Sequence, residues 1–163
     1  MLIMLLMLES VVMCFVLLLV CAVGIANGPV GLVGLYESDV QQRVVELGYT
    51  TRGKIRKRHS RMAVALFVPV LILPPVMVYF LNGAVGFWAG FWQMTVILLT
   101  MNLFDRLFID AYWVGCTKAW IIPGTEDLQP YIPKKVLIRK WAGTFISFPV
   151  LAAILAGVMT FLL

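Results

Sequence analysis

The chain has 163 residues, of which 62% are hydrophobic and only 13% charged, with a net charge of +5. Ordinary soluble domains are about 45–50% apolar and about 25% charged, and one of this size leaves roughly a third of its unfolded surface in water. A water-soluble globule is excluded, and the length suits one membrane domain.

A bilayer core of about 30 Å needs roughly 20 apolar helical residues. Four stretches qualify, at about 2–25, 62–81, 84–104 and 142–163. The expected fold is therefore an all-α integral membrane protein: a four-helix transmembrane bundle with a short amphipathic cytoplasmic helix. The first stretch has no Lys or Arg before it, unlike a secretory signal. It reads as a retained helix, although Gly24 and Ala26 resemble a cleavage site.

All basic residues fall into two segments, 26–61 and 105–141, and none lies at Asn82-Gly83 or at the ends. Basic residues flanking spans stay cytoplasmic. Four spans put both segments on that side, so both termini are expected to be non-cytoplasmic, with the cell membrane as the location. Trp88 and Trp92 then mark the outer interface, and Trp113, Trp120 and Trp141 the inner one.

The Gly-rich stretch after Ile25 reads as an irregular exit from the membrane. Ser38 and Gln41 have the spacing of a capping box, starting a helix that ends at Gly48 with a stripe of Val40, Val44 and Leu47. Arg52, Lys54, Arg56, Lys57, Arg58 and Arg61 follow. They enforce topology and are candidate contacts for anionic lipid headgroups. No aromatic platform is interleaved among them, so nucleic acid is not an expected partner.

Pro74-Pro75 in the second span removes two amide donors and is expected to kink or open that helix. Asn82-Gly83 reads as the next turn, both residues tolerating positive φ. The fourth span carries Ala152, Ala153, Ala156 and Gly157 in small-xxx-small pairs, a face for another span, another copy or a protein partner.

The most polar helix face begins at Asn102. At 100° per residue, Asn102, Arg106, Asp110, Trp113 and Thr117 share a stripe about 80° wide. These five are the ligand-binding candidates. Asp105 and Asp110 are the candidate catalytic acids or bases, with Arg106 as anion holder. Local pairing of Arg106 with Asp110 at i, i+4 is the structural alternative. Aspartate-rich segments of membrane prenyltransferases hold magnesium and diphosphate with two such runs. This chain has one, and its two aspartates stand about 140° apart on an α-helix, so neither that family nor a metal site is inferred. Cys14, Cys21 and Cys116 have no metal-ligand spacing, His59 is the one histidine, and no cofactor is indicated.

Glu9 is a lone intramembrane acid with no base on its side, expected to be solvated or hydrogen-bonded. In the last loop Thr125 is expected to cap a turn bearing Glu126 and Asp127, and this loop can fold back over Asp110. The favoured function is a binding or accessory subunit with a polar cytoplasmic-face site. The alternatives are a small membrane enzyme on a lipid-like anionic substrate and a small transporter.

Overall fold

The computed structural model describes all 163 residues; 83% are helical and none is in a strand. Four helices are long and apolar enough to cross a membrane: α1 (Leu2–Ile25), α3 (Arg52–Leu81), α4 (Gly86–Val114) and α5 (Lys134–Leu162). A short helix, α2 (Ser38–Glu46), lies between the first two.

The long helices share one apolar core. α4 lies at its centre, against α5, α1 and α3. Met13 and Leu17 of α1, Val70 and Val78 of α3, Met94, Ile97, Leu98 and Met101 of α4, and Ala152 and Ala156 of α5 fill it. The outward faces are apolar too: Phe15, Leu19, Phe67, Ile72, Val150 and Ile154 are exposed. The small residues Ala152 and Ala156 are used within the chain, bringing α5 close to α4.

The two basic segments meet at one end of these helices. Leu32, Val33, Tyr36, Val40, Val44 and Ile55 from the first join Trp120, Ile122 and Tyr131 from the second in a separate core. Trp120 is buried there, with Trp113 edge-on at 5.2 Å, so it is not an interfacial ring. α2 packs under the bundle rather than lying free. Val40 and Val44 are buried, whereas Leu47 is exposed and falls outside the expected stripe. The Gly-rich exit is a 3-10 segment, Pro29–Leu35.

Local chemistry departs from expectation at four places. No capping box forms: Glu37 is the N-cap, Ser38 is already helical, and the Gln41 amide donates to the Tyr36 carbonyl at 2.8 Å. At the hairpin only Gly83 has positive φ, +66°, while Asn82 stays right-handed. Thr125 makes no side-chain cap; its buried hydroxyl donates to the Ile122 carbonyl at 2.8 Å and lies 2.8 Å from the Tyr131 hydroxyl. Pro74 and Pro75 do not break α3, which continues as a π-helical segment over Val76–Leu81. A π turn, closed from i to i+5, takes up backbone that an α ladder cannot pair.

That π segment delivers Tyr79 inward. Its hydroxyl lies 3.3 Å from the carbonyls of Gly86 and Ala156, tying α3 to α4 and α5. Gly90 makes room: a Cβ there would collide with the Tyr79 ring and hydroxyl.

Candidate functional site

α4 carries the polar stripe, and it too changes pitch. From Asp105 to Val114 it is π-helical. In a π turn the N–H of residue i+5 returns to the carbonyl of residue i, so residues five apart stand much closer to one face than on an α-helix, where about 140° separates them. Asp105 and Asp110, expected on different faces, therefore reach one guanidinium. Arg106 contacts Asp105 at 2.8 Å and also pairs with Asp110. Lys140 of α5 closes the group, with Nζ 3.2 and 3.1 Å from the two Asp110 oxygens.

The side chains of Asp105, Arg106 and Asp110 are only 21%, 12% and 9% exposed. Two carboxylates and two cations bring the cluster near neutrality, which lets it sit at such burial. Arg106 Nε is buried and unpartnered. Lys140 had not been singled out in the sequence. Its signal was position: it precedes the fourth apolar run, on the same side of the molecule as Asp110.

The rest of the stripe divides. Asn102 is buried and donates to the Leu98 carbonyl at 3.1 Å. Trp113 packs between the two cores. Thr117 donates to the Trp113 carbonyl at 2.5 Å. These three are satisfied locally or by packing, and none of them lines the cavity described next.

A cavity of about 330 Å³ lies beside the ion cluster, bounded by α1, α3, α4 and α5. Asp105, Arg106, Asp110 and Lys140, with His59, form its polar part, and 14 of its 19 lining residues are hydrophobic, among them Leu17, Leu66, Phe67 and Ile109. Tyr131 and Ile132 bring the last loop over it, as the sequence suggested. Tyr36 also lines it, donating to the Trp120 carbonyl at 2.7 Å, and burial pushes its hydroxyl well above the ordinary range.

Comparison with protein-family models, curated proteins and solved structures finds no match. The site must be read from its own chemistry.

A second, smaller polar group lies at the opposite end of the helices. Glu9, 4% exposed, accepts from the Asn82 amide at 3.1 Å, and the same amide nitrogen lies 3.0 Å from Gln93 Oε1. Glu9 is thus hydrogen-bonded rather than solvated. Asn82 and Gln93 were missed, although Gln93 is a lone polar residue in an apolar run. Between this group and Asp110, Met13, Met94, Ile97 and Leu98 are wholly buried.

The six basic candidates of α3, Arg52, Lys54, Arg56, Lys57, Arg58 and Arg61, are all exposed on its first three turns. None is in a salt bridge.

Proposed function

We propose that this chain is a multi-pass protein of the cell membrane, acting as a binding or accessory subunit that holds an amphiphile at its cytoplasmic end. The observation that carries this reading is the cavity of about 330 Å³, apolar over most of its wall with four interlocked charges and His59 on the rest. Ligand sites are mostly apolar concavities with a few placed polar groups that fix orientation. Here the apolar wall suits a hydrocarbon chain. The cluster presents both signs of charge to whatever end is polar.

Membrane insertion is supported by the four long helices and their apolar outward faces. Orientation rests on the basic residues, which all lie in the segments that meet at one end. Asp105 and Asp110 are held in ion pairs, which favours a binding role over acid–base work. A contact with a second copy or a partner through α5 has room beside Gly143 and Gly157, where an added Cβ would meet nothing.

The test is native mass spectrometry of protein released in mild detergent. Ala63 lines the cavity and makes none of the cluster's ion pairs, so Ala63→Trp is chosen to fill it. Wild type is expected to retain one lipid-sized molecule, and the variant to lose it while keeping its helical circular dichroism. A bare wild-type protein overturns the proposal.

A further inference from the structure

A polar cavity of about 360 Å³ lies beside the apolar one. It is lined by Arg52, Arg56 and His59 of α3, by Ser38, Gln41 and Gln42 of α2, and by Gly34 and Ile55, with no carboxylate among them. Arg52 and Arg56 are one α-helical turn apart, and His59 is nearly one turn further, so all three share a face. Ser38 adds the first turn of α2, where helix N–H groups have no intrahelical partner. Of the acids of α2 and its N-cap, Asp39 accepts from the Val40 N–H at 2.8 Å and Glu46 from the Gln42 amide at 2.9 Å, while Glu37, the N-cap residue, makes no side-chain cap bond; none of the three lines the cavity.

His59 lines both cavities. It lies against Gly34, where a Cβ would come within 3.0 Å of the His59 Cβ. His59 is the one residue the two cavities share, so the apolar and the polar space lie on either side of it.

Depth agrees. The apolar part of α3 begins at Met62. At 1.5 Å per residue, His59 stands about 4–5 Å and Arg56 about 9 Å beyond it. The headgroup layer is roughly 5–8 Å thick on each side of the hydrocarbon. His59, at the inner end of the pocket, lies within that layer; Arg56 stands at its outer edge and Arg52, about 15 Å out, beyond it, so the arginines meet the phosphate from the aqueous side.

We propose that this polar pocket binds the phosphate-monoester headgroup of a lipid through Arg52, Arg56 and His59, with the lipid chain in the adjoining apolar cavity. It rests on the amphiphile reading above and names the class of ligand. Two guanidiniums suit a dianionic phosphate, whose oxygens accept paired N–H donors. A headgroup carrying its own cation is best held by a carboxylate or by the face of Trp, Tyr or Phe, and the pocket lining has none of these.

The probes are short-chain phosphatidic acid, short-chain phosphatidylcholine and inorganic phosphate, each titrated into the full chain in mild detergent. Arg52→Ala with Arg56→Ala is compared with Lys57→Ala plus Arg58→Ala, which removes the same charge from outside the pocket. Phosphatidic acid is expected to bind in preference to phosphatidylcholine. Its affinity should fall about 25-fold in the pocket double variant, near fivefold for each arginine, and much less in the control. Ala63→Trp should weaken phosphatidic acid but not inorganic phosphate. Equal losses in the two double variants overturn the pocket and leave only general charge attraction. Inorganic phosphate binding as tightly as phosphatidic acid overturns the lipid source. Phosphatidylcholine bound in an Ala63-sensitive way, with the pocket variants silent, sinks this inference alone; no lipid bound at all sinks the amphiphile reading with it.

Discussion

Arg106 is the residue whose environment is most demanding. Its guanidinium serves Asp105 and Asp110 together, and Lys140 serves only Asp110. Removing it leaves Asp105 without a partner at low exposure and Asp110 with Lys140 alone, and breaking a buried pair in this way costs about 3–5 kcal/mol. Arg106→Ala is therefore expected to lower stability by several kcal/mol, read as an earlier midpoint in a denaturation series in detergent. Asp110→Asn should destabilise by a smaller amount, since Asp105 still balances Arg106. A stable Arg106→Ala protein would mean that the cluster is not structural. The Arg106–Asp110 pair was legible from i, i+4 spacing alone. The Asp105 contact was not, because wheel arithmetic assumes 3.6 residues per turn and this stretch does not keep that pitch. Glu9 could be found as an isolated charge. Its partner Asn82 could not, since the two lie 73 positions apart and only packing of α1 against the far end of α3 joins them.

At the level of elements, the spans were visible because an apolar run of twenty residues has few other fates. Their boundaries were less so. α3 begins ten residues before its apolar part, with the basic cluster wound onto the same helix. α5 begins at Lys134, ahead of the expected 142, for the same reason. Charged residues weaken a hydropathy signal without weakening helix formation, since Lys and Arg are good helix formers. The clamp between α3, α4 and α5 depends on Gly90 accepting the Tyr79 ring. Gly90→Ala gains intrinsic helix propensity of about 1 kcal/mol, yet must displace an aromatic ring packed against it. Overpacking of this kind costs typically 1–3 kcal/mol. The net effect is expected to be destabilising, or at best neutral, in the same denaturation series; clear stabilisation would show that Tyr79 moves aside freely. Tyr79→Phe should not rescue it, because ring carbons as well as the hydroxyl occupy the space.

For the whole molecule, the chain supplies its own topology reporter. Cys116 is exposed at the basic end, Cys21 is buried and Cys14 partly so. Val85 is exposed in the hairpin at the other end, and unlike Gly83 it needs no left-handed backbone. In intact cells a membrane-impermeant maleimide is expected to label Val85→Cys, in a background lacking the native cysteines. Cys116 in the wild-type chain should react only after permeabilisation; the reverse pattern would invert the orientation. At the basic end the helix starting at Ser38 was legible in the sequence, but the core it joins was not, because the other parts are short 3-10 segments. Such pieces carry little periodicity, and their core forms only when two segments about 80 residues apart meet.

The wholly buried layer of Met13, Met94, Ile97 and Leu98 separates the Glu9 group from the Asp110 cluster. Apolar packing of this kind solvates neither ions nor a file of water. Vesicles reconstituted with the protein are therefore expected to hold an imposed potential as long as empty ones do.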